Sequence, residues 1–144
     1  MSQSAVSTSS QTALNSSTVN ASLALAGRIM IAAIFLLSGF SKITATAMMI
    51  GYIQSVGLPL PAVALGLAIL IEVGGSIALV LGYRTKLIAA IMALFTVATA
   101  IAFHNNLADQ NQFIHFFKNI AMAGGLLQVI ALGAGRFSLD ARRG

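Results

Sequence analysis

Four apolar stretches, at about 23–43, 59–81, 87–104 and 113–134, limit what this chain can fold into. Each is close to the roughly 20 residues that an α-helix needs to cross the hydrocarbon core of a bilayer. Each is rich in Ala, Leu, Ile and Gly, and none shows the polar alternation of a membrane-spanning strand. The sequence therefore predicts an all-α membrane protein, a bundle of four transmembrane helices. Charged side chains make up 8% of the residues. Soluble domains carry about 25%, so an ordinary water-soluble fold is excluded.

The connections refine this picture. Residues 1–22 are rich in Ser, Thr, Asn and Ala, carry no charge and show no apolar period, so the expectation there is a disordered polar tail. No basic segment and compact apolar core mark it as a secretory leader. The membrane domain then covers 23–136, and 137–144 forms a second tail. Between spans 1 and 2, Met48, Met49, Tyr52, Ile53 and Val56 recur at helical spacing. This predicts a short amphipathic helix on or partly in the membrane. Gly57-Leu58-Pro59 ends it, and Pro59 or Pro61 can occupy the first turn of span 2. A tight turn at 82–86 joins spans 2 and 3, and a polar loop at 104–112 joins spans 3 and 4. The glycines Gly66, Gly74, Gly75, Gly124 and Gly125 read as packing positions, where small residues let helices approach. Ile31-Ala32-Ala33-Ile34 in span 1 echoes Ile88-Ala89-Ala90-Ile91 in span 3, as a weak parallel repeat would.

The net charge of +5 would suggest nucleic acid in a soluble protein. Here the basic residues are scattered at the ends of apolar stretches, without a basic stripe or stacking aromatics. The bilayer, not nucleic acid, is the expected partner. With four spans, Arg28, Arg84, Lys86, Arg136, Arg142 and Arg143 share the side of both termini, and the other side has at most Lys42 and Lys118. The positive-inside rule places both termini in the cytoplasm. There is no cysteine, so the chain has no disulfide, thiolate cluster or dithiol of its own. Four spans suit a monomer, and Gly-rich faces suit a homodimer equally.

Charge within a span costs about 2.5–3.5 kcal/mol on the insertion scale and persists where it pairs, lines a cavity or functions. Lys42, Glu72 and Lys118 are such charges, and His104 closes span 3. At a rise of about 1.5 Å per residue, Lys42 lies ~21 Å from Arg28 and Glu72 lies ~18 Å from Arg84. An ion pair between spans 1 and 2 is therefore within reach. Lys118 and His104 lie ~27 Å from Arg136 and Lys86, beyond that pair. A bland reading is a pair that fixes helix register, with Lys118 reaching the far headgroups. The functional reading is a polar pocket with two cations and one carboxylate, in which Glu72 moves a proton. Such a pocket suits a quinone head group or a small anion. His104 and His115 could also ligate a haem iron, although no c-type attachment motif accompanies them. No cluster of Cys or carboxylates suggests a metal.

Several motifs stand in one order along the chain. Arg28 and an apolar run lead into Ser38-Gly39-Phe40-Ser41-Lys42. Gly57-Leu58-Pro59, Glu72-Val73-Gly74-Gly75 and Gly82-Tyr83-Arg84-Thr85-Lys86 follow. Phe103-His104-Asn105, Phe117-Lys118-Asn119 with Gly124-Gly125, and Gly135-Arg136-Phe137-Ser138-Leu139-Asp140 complete the series. In this order the chain, over roughly residues 24–140, resembles the DoxX family of small four-helix bacterial membrane proteins. The resemblance implies a multi-pass protein of the bacterial inner (plasma) membrane, associated with respiratory or sulfur redox chemistry, quinone-related stress and oxidoreductase assemblies. Carried over residue by residue, it marks Lys42, Glu72, Arg84, His104, Lys118 and Asn119. The expected function is a quinone-handling or oxidoreductase-associated subunit, with a separate redox protein as partner. Two alternatives stand beside it. One is a small proton-coupled transporter using Glu72. The other is a scaffold that docks soluble redox enzymes through Arg84, Lys86, Arg142 and Arg143.

Overall fold

The computed structural model describes the backbone of residues 2–143 and the side chains of residues 15–143. Helix α1 (Ser2–Thr44) leads into α2 (Thr46–Ser55). The second span is composite: α3 (Pro61–Ile69), one π-helical turn (Leu70–Gly74) and α4 (Gly75–Leu81). Helices α5 (Thr85–Phe103) and α6 (Gln110–Leu132) form an antiparallel hairpin, and a 3₁₀ turn (Asp140–Arg142) closes the chain. Four helical stretches are long and apolar enough to cross a membrane: Asn15–Thr44, Pro61–Leu81, Thr85–Phe103 and Gln110–Leu132. No strand occurs among the described residues.

One expectation is corrected at the N-terminus. Residues 2–22, read as a disordered tail, are helical and continuous with span 1; Met1 lies outside the described residues. A span supplies a finished helical nucleus, and adding residues to it is far easier than starting a helix. Ser22 Oγ bonds back to the Thr18 carbonyl. Ala21 is buried, next to the backbone at Gly135. The extension thus docks on the segment after α6.

Helix ends follow from local chemistry. Pro61 stands in the first turn of α3, where its missing N–H is no loss. Leu60, just before it, is held in the left-handed region at φ 50°. Asp109 caps α6, its carboxylate accepting from the Gln112 N–H at 2.9 Å. At the end of α4, Gly82 adopts φ +68°, and the N–H groups of Gly82 and Tyr83 return to the carbonyls of Leu79 and Ala78. This is the Schellman ending that favours glycine. A Cβ at Gly82 would also lie 2.3 Å from Ser138 Cβ.

The bundle is closed in one half. Ala32, Phe35, Leu79, Ala89, Met92, Ala93 and Leu126 form the core, all toward the end that carries residues 82–86 and the C-terminal turn. The outward faces carry large apolar side chains such as Met30, Leu94 and Leu132, as lipid contact requires. Of the glycines read as packing positions, two do that work. A Cβ at Gly75 would meet Met92 Sδ at 3.0 Å, and one at Gly125 would meet Ile31 Cδ1 at 3.1 Å. Gly66 and Gly124 have nothing within 4 Å, and Gly74 would touch only Leu70 at 3.6 Å. On a helix only one face meets a neighbour, so composition alone could not separate these sets. The echoed alanines, Ala32 and Ala89, are both buried in the core.

Candidate functional site

Beside that core, and sharing Phe35 with it, the helices surround a cavity of about 650 Å³. This lies within the roughly 300–1,000 Å³ of small-molecule sites. Its walls are mostly apolar and come from α1, α2, span 2, α5 and α6. Lys42, Glu72, His104, Lys118 and Asn119, singled out from the sequence, all line this one space.

Glu72 sits in the π-helical turn and is 4% exposed. Such turns place an extra residue in a helix and recur at functional sites. Lys42 Nζ pairs with Glu72 Oε1 at 2.9 Å, so the two depths inferred from helical rise do coincide. Ser38, one turn before Lys42 on α1, completes a triangle. Its hydroxyl accepts from Lys42 Nζ at 2.8 Å and donates to Glu72 Oε1 at 3.1 Å. Glu72 Oε2 is buried and has no partner among the described residues. Close approach of α1 requires Gly39. A Cβ there would lie 2.7 Å from Val73 Cγ2 and 3.2 Å from Glu72 Cβ.

At the far rim, His104 Nδ1 donates to Gln112 Oε1 at 2.8 Å, and Lys118 Nζ donates to His115 Nδ1 at 2.9 Å. The two imidazoles stack with centroids 5.0 Å apart. Rings lying side by side are not placed end-on across a metal, which disfavours the haem reading. Asn119 is buried, and its side-chain amide makes no hydrogen bond among the described residues. Helix α2 closes one side through Met49, Tyr52 and Ile53, with Tyr52 donating to the Phe103 carbonyl at 3.3 Å. Of the expected apolar face of α2, Ile53 is buried, but Met48 is 66% exposed. Leu37 lines the cavity and is 69% exposed, so the wall opens where α1 turns outward to lipid.

The sequence reading did not place Ser38, Tyr52 or Thr96 in a cavity, and it offered His115 only as a haem ligand. Ser38 had a usable signal, standing four residues before a buried lysine on the same helix face. The other signal was the length of span 2, but a π turn leaves no mark in hydropathy.

The opposite end carries a second polar cluster of another kind. Arg28, read as a boundary charge, is 1% exposed. Its Nη1 donates to the carbonyls of Leu79 (2.9 Å) and Val80 (3.0 Å), and its Nη2 donates to that of Phe137. It satisfies the last carbonyls of α4, which a helix leaves without partners. The C-terminal residues are stitched to the 82–86 turn through Leu139 N–H to Leu81 O and Asp140 N–H to Gly82 O. Asp140 caps α5 from a distance, accepting from the N–H groups of Arg84 and Thr85 at 2.8 Å and from the Thr85 hydroxyl at 2.7 Å. These bonds, first those from Thr85, hold its carboxyl below the ordinary aspartate range. The docking candidates Arg84, Lys86, Arg142 and Arg143 are exposed, with Arg143 stacked over Tyr83 at 4.8 Å.

Residues 23–105 match the DoxX family. The chain is 36% identical to inner membrane protein YqjF of Escherichia coli, over 81% of this chain and 88% of that one. It is 34% identical to inner membrane protein YphA of the same organism, over 83% of this chain and 89% of that one. A more distant likeness, 28% over 84% of this chain, is to the ER-derived vesicles protein ERV29 of Saccharomyces cerevisiae, of which 34% is covered. No solved structure matches.

Proposed function

The chain belongs to the DoxX family of membrane proteins, and on that premise we propose that its cavity binds the head group of a quinone-type redox carrier at the Lys42–Glu72 pair. The observation that carries this reading is an ion pair on the wall of an apolar cavity, with one carboxylate oxygen unpaired. An orphaned polar atom is expensive in a low-dielectric setting, and a guest that partners it lowers that cost. Here the geometry leaves capacity for a guest. The opening beside Leu37 suits a ligand that arrives from the bilayer. Lys42 offers positive charge to a head-group oxygen, and Glu72 accepts a proton when a hydroxyl gives one up. With no thiol in the chain, electrons pass between the carrier and a separate redox protein. The excess of Arg and Lys beside the closed half supports placing both termini in the cytoplasm of the inner membrane.

The test is native mass spectrometry of gently extracted protein beside its Glu72→Gln variant. A quinone-sized mass held by the wild type and lost in the variant supports the site. Absence of any ligand in both contradicts it. A second reading rests on exposed Arg84, Lys86, Arg142 and Arg143 at one end, a docking face for a soluble enzyme. There a retained partner protein would survive Glu72→Gln and be lost on replacing Arg84, Arg142 and Arg143 by Glu.

A further inference from the structure

The hydrogen-bond inventory of the pair goes beyond a generic head-group site. Resting on the reading above, we infer that the pocket selects a hydroxyl-bearing ring, the reduced hydroquinone, over the oxidised quinone. A carboxylate has about four acceptor positions on its two oxygens. Glu72 uses two, both on Oε1, for Lys42 and Ser38. Oε2 is left with none, turned under the cavity wall beside Gly39. The last torsion of a glutamate is broad and roughly two-fold, so the carboxylate can turn to present Oε2 to the cavity, a turn that also moves Oε1 and loosens its bonds to Lys42 and Ser38. The ammonium of Lys42 has three N–H groups, of which two are spent on Ser38 and Glu72. Next to each other, the wall therefore holds one free acceptor and one free donor.

A hydroxyl group answers both. Its O–H donates to Oε2 while its oxygen accepts from Lys42. A quinone carbonyl can only accept, so it engages Lys42 and leaves Oε2 buried without a partner. Asn119, also buried and lining the cavity, is indifferent, because its amide can donate or accept. Discrimination thus falls on Glu72. Leaving a buried acceptor unpaired is the larger effect in such comparisons, and it corresponds to about tenfold or more in affinity.

The test is equilibrium dialysis of the full-length protein in detergent, without oxygen. The probes are a short-chain benzohydroquinone, the matching benzoquinone and the di-O-methyl ether of the hydroquinone. The ether has the same ring but no O–H. The expected result is hydroquinone bound about tenfold or more tightly than quinone, with the ether behaving like the quinone. In Glu72→Gln an amide donor replaces the free acceptor, so hydroquinone affinity drops and the ratio falls to about one. Equal binding of the two redox forms by the wild type, or tighter quinone, overturns the selectivity while leaving the head-group site standing. Binding of none of the three overturns the site itself.

Discussion

The two halves of this bundle both bury ions, and they treat them in opposite ways. In the closed half Arg28 reaches three carbonyls and Asp140 collects three donors. Chain ends and turn are tied together, and a dense core lies beneath. In the open half the ion pair of Lys42 and Glu72 stands against about 650 Å³ of cavity, with Glu72 Oε2 unpartnered among the described residues. Buried charge by itself does not mark a site. Arg28 Nε is also buried without a partner among the described residues, but Arg28 does not line the cavity. What separates scaffold from site is that the unpaired group of Glu72 belongs to a cavity wall.

The sharpest way to break this contrast is to remove the buried ion of the closed half. Arg28→Met removes the side-chain donor from the carbonyls of Val80 and Phe137 and leaves that of Leu79 with the Gly82 N–H alone. Bonds to charged groups contribute about 1.5–3 kcal/mol each, so a loss of about 3 kcal/mol or more in stability is expected. Thermal unfolding in detergent checks it. A lysine at this position rescues only part, since an ammonium cannot reproduce the guanidinium fork. Retention of wild-type stability in Arg28→Met would remove the claim that this end is the structural one.

Gly39→Ala probes the seam between the halves. Overpacking typically costs about 1–3 kcal/mol, partly offset by the roughly 1 kcal/mol that alanine gains over glycine in a helix. A net loss of about 1 kcal/mol is expected, with α1 pushed from Glu72. The same exchange at Gly66, where nothing lies within 4 Å, keeps only the helical gain. Opposite signs at the two glycines in denaturant or thermal melts would confirm the assignment.

Asp140→Ala has the smallest effect, about 1 kcal/mol for a lost helix cap. It also carries a pH signature. The folded carboxyl titrates below the ordinary range, so the unfolded chain binds the proton more readily. Its contribution is therefore complete above about pH 4 and fades as pH falls toward the lower folded value. Melting the wild type and Asp140→Ala from neutral pH downward should show their difference narrowing below about pH 4.

Much of the open half was legible in the sequence. Charge is so costly inside a span that Lys42, Glu72 and Lys118 announce themselves, and helical rise brings the first two to one depth. The closed half was not. Arg28 lies near the end of an apolar run, where hydropathy cannot distinguish a snorkelling cation from one capping another helix. The Asp140 contacts join residues 55 and 56 positions apart, through a turn whose local pattern is merely polar. Residues 15–22 look like a solvated tail by composition, yet they continue a helix that the span has already started. The π turn at Glu72 leaves no trace in periodicity over so few residues.

The most direct test of the contrast is thermal unfolding with and without a short-chain hydroquinone, for wild type, Asp140→Ala and Glu72→Gln. The expected result is an equal upward shift in wild type and Asp140→Ala, despite their different starting points, and a shift largely lost in Glu72→Gln. An equal shift in all three, or none in the wild type, would contradict the assignment of ligand binding to the half that holds the cavity and the Lys42–Glu72 pair.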